Sequence, residues 1–254
     1  MNKKNLPEQV KQVISIAENL FEDKILGMYL YGSYVLGGLQ PNSDLDILIL
    51  TKKEISDTTR IEFTKNLMKI SGAVGNLEKR PLEIAIINQK DITPLKFPPR
   101  CEYMYGEWRR KEMEKGEILK PFYDFDIIIL LWQVKNYSIT IKGKKAENII
   151  PFITKNDIKK AVKFSFNEVV KNIKGDERNV LLTLARMYFT LETGEICSKN
   201  IAGKWCIKKL PNSLIPVMQM AVKEYLGEVS VVWDNFENEV LLLSDFFKNK
   251  IKNI

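Results

Sequence analysis

Two aspartates stand two residues apart in the run Asp44-Leu-Asp-Ile-Leu-Ile-Leu50, and a glutamate interrupts a second apolar run, Leu82-Glu-Ile-Ala-Ile-Ile87. In an extended strand, residues i and i+2 project to one face, so Asp44 and Asp46 converge while Leu45, Ile47 and Ile49 point the other way. Two like charges at the mouth of an apolar strand repel each other and resist burial unless a cation neutralises them. A hard divalent ion that prefers oxygen, Mg2+ above all, meets that requirement. If the Glu83 strand lies beside the first, three carboxylates share one site. The competing reading of the same residues is a solvated Asp44 at a turn edge, with Asp46 and Glu83 paired to lysines. Upstream, Gly32-Ser33 ends another short apolar segment, Gly27-Met-Tyr-Leu-Tyr31. A glycine there lets the backbone approach a ligand closely, and a serine hydroxyl can donate to a phosphate oxygen. Phosphate contact, metal ligands and a third acid thus coincide.

The chain of 254 residues contains no histidine. That removes Ser-His-Asp and Cys-His catalysis, histidine-ligated metals and the commonest general base at neutral pH, leaving carboxylates, lysines or metal-bound oxygens. Hydrophobic residues make up 45% and charged residues 28%, which suits a globular protein of one large or two modest domains. The longest apolar run, Ile127 to Trp132, is far short of the ~20 residues of a membrane span, and Met1-Asn-Lys-Lys4 leads into a polar helix, so a cytoplasmic protein without a membrane partner is expected. Cys101, Cys197 and Cys206 lack the close pairing of a zinc site and are expected to be reduced thiols. The net charge of +7 comes from 32 Lys and only 7 Arg against 32 acids, scattered without an arginine-rich stripe. Solvated surface explains it better than a nucleic-acid partner. Against so few arginines, Arg186, amid apolar neighbours on an expected helix, stands out.

The elements that must position these residues follow from periodicity. Val10, Val13, Ile14, Ala17, Leu20 and Phe21 recur at helical spacing from Pro7 to Phe21. Strands are expected at Gly27 to Tyr31, Asp44 to Leu50 and Leu82 to Ile87, with turns at Gly37-Gly38 and Pro41-Asn42-Ser43 and a helix over Thr58 to Ile70. Asp91 to Arg100 is proline-rich and irregular, Glu102 to Lys115 is expected to be helical and to carry Trp108, and Phe125 to Tyr137 is an apolar helix. Beyond Pro151 every segment reads as helix: Asn156 to Asn172, Glu177 to Leu191, Lys199 to Lys209, Leu214 to Tyr225 and Val232 to Phe247. The expected fold class is α+β, a small mixed sheet with helices over residues 1–151 followed by an all-α bundle over 152–254.

Gly32-Ser33, Gly37-Gly38-Leu39, Ser43-Asp44-Leu45-Asp46 and the downstream Glu83 together resemble the signature of the DNA polymerase β-like nucleotidyltransferases. Further blocks, Pro81-Leu-Glu83, Tyr105-Gly-Glu-Trp108-Arg109, Gly175-Asp-Glu-Arg-Asn179 and Thr193-Gly194 through Lys199, resemble the aminoglycoside adenylyltransferases that act on spectinomycin. The resemblance spans nearly the whole chain. It implies transfer of AMP from ATP to the 9-hydroxyl of spectinomycin, release of pyrophosphate, and antibiotic resistance. Asp44 and Asp46 would hold Mg2+. Glu83 would join the metal site, face the drug and act as general base, a role no histidine contests. Ser33 and Ser43 would touch the triphosphate. Arg186 and Lys199 match family positions that bind ATP from the helical domain across an interdomain cleft.

Trp108 and Asp176 match the family's drug-contacting positions; their local alternatives are a core aromatic and a helix N-cap. Relatives that also accept streptomycin carry a tryptophan and an aspartate where this chain has Asn167 and Asn172. That departure implies a narrow enzyme for which streptomycin is a poor substrate. A monomer is expected. A degenerate, antitoxin-like binding module and an enzyme that nucleotidylates RNA or protein are the rival readings. The first is disfavoured by the intact acid set and the second by the missing arginine and aromatic clusters.

Overall fold

In a computed structural model of the chain, residues 6–254 are described, except 42, 74 and 77. The start of the chain, Met1-Asn-Lys-Lys4, and Asn42 in the expected turn lie outside the described residues. The chain divides into two compact units, residues 1–152 and 153–254.

Among its described residues the first unit contains seven strands, β1 (Ile25–Tyr31), β2 (Leu45–Thr51), β3 (Leu82–Asn88), β4 (Arg100–Cys101), β5 (Tyr103–Tyr105), β6 (Phe122–Tyr123) and β7 (Ile139–Gly143). Its helices are α1 (Glu8–Phe21), α2 (Asp57–Ile70), α3 (Gln89–Ile92), α4 (Arg110–Glu114) and α5 (Asp126–Asn136). The main sheet runs β5-β3-β2-β1-β7, and only β2 and β3 pair in parallel. A parallel pair needs a crossover, and α2 supplies it, entered through Ser56, whose side chain accepts from the Thr59 amide at 3.1 Å.

Alternation along the strands sorts the side chains. Leu45, Ile47 and Ile49 of β2 and Leu82, Ile84 and Ile86 of β3 join one apolar core with Val10, Val13, Ala17 and Phe21 of α1 and Phe63 and Leu67 of α2. Phe21 and Phe63 meet edge to face with ring centroids 4.9 Å apart, so truncating Phe63 to Ala would cost roughly 3–5 kcal/mol. The opposite face, starting with Asp46 and Glu83, continues with the buried Leu48, Leu50, Ala85 and Ile87, and α5 packs against β1.

The segment expected to be a helix over Glu102 to Lys115 is not one. Tyr103 to Tyr105 forms the edge strand β5, Ile84 pairing with Tyr105 and Ile86 with Tyr103, and only Arg110–Glu114 is α-helical after a 3-10 turn at Glu107–Arg109. Two fully buried tyrosines spaced by two residues satisfy a strand beside β3, and that tertiary pairing overrides helical propensity. Strand β7 on the other edge, and the short pair β4 with β6, had no clear signal in the sequence. Behind the sheet, Glu102 is fully buried and accepts from Arg60 and Arg100, with Arg100 also bonded to Asp91 at 3.0 Å.

The second unit holds five helices, α6 (Lys155–Lys171), α7 (Glu177–Thr193), α8 (Lys199–Ile207), α9 (Ile215–Tyr225) and α10 (Glu237–Asn253). Thr154 and Asp157 close a reciprocal capping box at the start of α6. Helix α7 touches each of the other four, which is why Val180, Leu181, Leu182, Leu184 and Ala185 are all buried. Tyr188 and Phe189 extend that core onto Trp205 of α8, each with a centroid separation of 5.3 Å. The last helix begins later than expected, after a 3-10 turn at Trp233–Phe236. No helix among the described residues is long and apolar enough to cross a membrane.

Candidate active site

The parallel register puts Asp46 directly opposite Glu83, and the antiparallel register on the other side puts Tyr31 opposite Asp46. Register partners share a face, so Tyr31, Asp46 and Glu83 form a row across the three central strands. The row sits at the N-terminal ends of β2 and β3. Asp44 immediately precedes β2, half-buried like Asp46 and Glu83. The Leu45 amide donates to the Pro81 carbonyl at 2.9 Å, which ties the entries of the two strands together.

Gly32 and Ser33 begin the 3-10 turn that follows β1. Gly32 has φ +69°, and a Cβ built on it would lie 1.8 Å from Asp46 Oδ2. Only a glycine can bring the backbone this close to that carboxylate. The neighbouring Ser33 hydroxyl oxygen is buried and has no hydrogen-bond partner among the described residues. Buried hydroxyls are ordinarily satisfied, so its donor capacity is available to a ligand. Ser43 is used differently. Its Oγ accepts from the Gln40 amide at 2.9 Å within a loop that Arg80 clamps by donating to the Gln40 carbonyl at 2.8 Å and the Ser43 carbonyl at 3.1 Å. Its hydroxyl proton is still able to donate.

Trp108 is not a core residue, since 61% of it is exposed. Its indole lies flat on the extended backbone of Gly106, where an added Cβ would come within 2.3 Å of the ring. The indole is an exposed apolar plate held at the end of the sheet.

In the second unit, Asp176 precedes α7 but makes no capping hydrogen bond with its side chain. Its Oδ1 instead accepts from Asn179 Nδ2 at 2.6 Å, and Asn179 Oδ1 accepts from Lys199 Nζ at 3.4 Å. One amide therefore holds an exposed carboxylate and an ammonium from two helices. Arg186 lies seven residues beyond Asn179, on the same stripe of α7, half-buried and with neither an ion-pair nor a hydrogen-bond partner among the described residues. Burial pushes the nearby Cys197 thiol up to about 11, with the Arg186 charge pulling in the opposite direction. Asn167 and Asn172 are exposed, and Asn172 is occupied as a donor to the Glu168 carbonyl at 3.1 Å. Glu107 and Asn179 carry no local sequence signal of a role, although both fall inside the blocks Tyr105-Gly-Glu-Trp108-Arg109 and Gly175-Asp-Glu-Arg-Asn179.

The oxygen-only donors around Asp46 suit a hard cation. Among the described residues no group of three or more His, Cys, Asp or Glu side chains stands close enough to form a ready-made metal cage. Mg2+ is commonly bound through one or two carboxylates with substrate phosphates and water completing its shell, and the donors here fit that pattern.

A mixed sheet with an acid pair across its parallel strands, together with a match of residues 11–97 to the family described as Polymerase beta, Nucleotidyltransferase, defines a nucleotidyltransferase domain. Residues 148–250 match the family described as Aminoglycoside adenylyltransferase, C-terminal domain. Over the full length, the chain is 53% identical to a spectinomycin 9-adenylyltransferase of Campylobacter jejuni, covering 100% of this chain and 98% of that one. It is 42% identical to a Staphylococcus aureus protein of the same name, covering 97% and 95%. A crystal structure of spectinomycin adenyltransferase AAD(9) from Enterococcus faecialis with ATP and spectinomycin superposes with a TM-score of 0.91 at 33% identity, covering 96% of this chain and 98% of that one. The chain belongs to the aminoglycoside adenylyltransferase family.

Proposed function

We propose that the protein transfers AMP from ATP to the 9-hydroxyl of spectinomycin, releasing pyrophosphate, and so confers resistance to that antibiotic. The observation that carries the reading is the pairing of Asp46 with Glu83, next to a turn whose buried Ser33 hydroxyl has no hydrogen-bond partner among the described residues, in a chain of this family. Asp44 and Asp46 hold Mg2+, with Glu83 at the edge of the same site. When bound, the metal offsets negative charge on the phosphate oxygens. Glu83 takes the proton from the drug hydroxyl as that oxygen attacks the α-phosphorus in line with the departing pyrophosphate.

Ser33 and Ser43 donate to the triphosphate, and Arg186 and Lys199 of the helical unit supply its cationic contacts. That Arg186 has no acidic partner among the described residues supports this role, because a half-buried guanidinium is costly unless an anion meets it. Trp108 offers a flat apolar surface to the drug, and Asp176 offers a carboxylate to one of its amines. Asn167 and Asn172, uncharged and non-aromatic, make streptomycin a poor substrate. With ATP as co-substrate the enzyme works in the cytoplasm, as a monomer.

Incubation of the protein with ATP, Mg2+ and spectinomycin is expected to release pyrophosphate and to add the mass of one adenylyl group to the drug. No release would sink the proposal. Streptomycin modified at a comparable rate would refute the narrow specificity, and turnover unaffected by a chelator would remove the metal.

A further inference from the structure

Glu107 is almost buried, its side chain 9% exposed, and its carboxylate is the hub of a network that the reaction above does not use. Oε1 accepts from the Tyr105 hydroxyl at 2.9 Å, from Ser71 Oγ and from Arg110 Nη2 at 2.8 Å, while Oε2 accepts from Arg110 Nε at 2.9 Å. Arg110 also donates to the Met68 and Ser71 carbonyls, each at 3.2 Å, which fastens the turn to the end of α2. Ser71 Oγ in turn accepts from the Leu82 amide at 3.0 Å. Leu82 immediately precedes Glu83, and Glu107 immediately precedes Trp108.

We propose that Glu107 is a positioning residue that, through Ser71 and Arg110, holds the Trp108 plate and the Glu83 carboxylate at a set separation and so determines how tightly the drug binds. The inference rests on the roles proposed for Trp108 and Glu83. The physical basis is that Trp108 has little packing of its own: it is largely exposed and rests on Gly106, a residue with no side chain to retain it. What fixes the turn is therefore the charge-assisted, two-pronged contact between Glu107 and Arg110, with the Tyr105 and Ser71 hydroxyls completing the shell. Burial raises the Tyr105 hydroxyl well above the ordinary tyrosine range, so it stays protonated and able to donate. Glu107 itself would touch neither drug nor nucleotide.

Glu107→Gln keeps the shape of the side chain but replaces one accepting oxygen with a donor amide that faces other donors. The expected result is a KM for spectinomycin raised about tenfold, with kcat at saturating drug and KM for ATP changed less than about threefold. Ser71→Ala is expected to act in the same direction, and the double variant to be no worse than the worse single one, because both sever one connection. A drug-free readout accompanies the kinetics: acrylamide quenching of the Trp108 fluorescence, obtained by subtracting the matching Trp108→Phe protein, is expected to increase in Glu107→Gln. A Glu107→Gln protein that melts earlier but keeps both its drug KM and its Trp108 quenching would overturn the inference, leaving Glu107 a purely structural residue. If the wild-type protein does not turn over spectinomycin, the proposed function fails by itself, and the quenching comparison still decides whether Glu107 positions Trp108.

Discussion

The Asp46 carboxylate lies so close to Gly32 that a methyl group on the glycine would occupy the space of Oδ2, the built Cβ being 1.8 Å away. Gly32→Ala must therefore displace an acid proposed to hold Mg2+ and also adopt φ +69°, a left-handed conformation that costs a residue with a side chain of order 1–2 kcal/mol. Turnover is expected to fall by at least about 10²-fold, since displacements near 1 Å can cost that much, while the circular dichroism spectrum stays native. Pyrophosphate release measured beside the spectrum checks both parts, and near wild-type turnover would show that the Gly32 contact does not set the position of Asp46.

Glu83→Gln preserves the register of β3 and the shape of the side chain but removes the proposed base. A loss of about 10²–10⁴-fold in turnover is expected, with ATP affinity little changed, because the phosphate contacts lie elsewhere. Calorimetric titration with ATP and a pyrophosphate assay on the same preparation separate binding from chemistry. Retained turnover would take Glu83 out of the base role.

Asn179 holds Asp176 and Lys199 with its two amide atoms. Asn179→Ala frees both at once, so ATP and drug affinities are expected to weaken together, by about tenfold each, given ~1.5–3 kcal/mol for hydrogen bonds to charged groups. Lys199→Ala is expected to weaken ATP far more than drug. Steady-state KM values for the two substrates distinguish these patterns, and a change confined to one substrate in Asn179→Ala would contradict the shared role.

Burial raises the Cys101 and Cys206 thiols and the Tyr29 hydroxyl to about 12, and Cys197 to about 11. All four are held neutral in the fold, above the values of 9.0 for a thiol and 10.0 for a tyrosine from which they are shifted. In alkali the unfolded chain gives up these protons before the folded one does. Their contribution to stability is thus complete below about pH 9 and is lost as pH rises towards 12. Melting temperatures are expected to be level from pH 7 to 8.5 and to decline above 9. Because Cys197 is held protonated at pH 8, iodoacetamide should label the native protein slowly and the urea-unfolded protein at all three cysteines, as read by mass.

Much of the fold was legible because its signals are local. The alternation of Asp46 with Ile47, and the helical spacing of Val10, Val13 and Ala17, express which face of each element meets the core. The segment from Tyr103 to Tyr105 carries no local strand signal because its strand identity comes from β3, whose Ile86 lies 17 residues before its partner Tyr103 and whose Ile84 lies 21 residues before its partner Tyr105. Strand β7 escaped notice for the same reason, as its pairing depends on β1, more than a hundred residues upstream.

The sequence by itself determined the chemistry this protein could attempt. With no histidine, an acid pair two residues apart, a third acid on an apolar strand and a Gly-Ser turn, it restricted the site to carboxylates, phosphate and a hard cation. Only the tertiary structure decided which of these groups meet. The parallel register placed Glu83 beside Asp46, Gly32 opened room for the Asp46 carboxylate, Gly106 made room for the Trp108 ring, and Asn179 linked Asp176 to Lys199. Side-chain type and spacing are properties of a few neighbouring residues. Register, close approach and shared hydrogen bonds exist only once segments far apart in the chain have packed together.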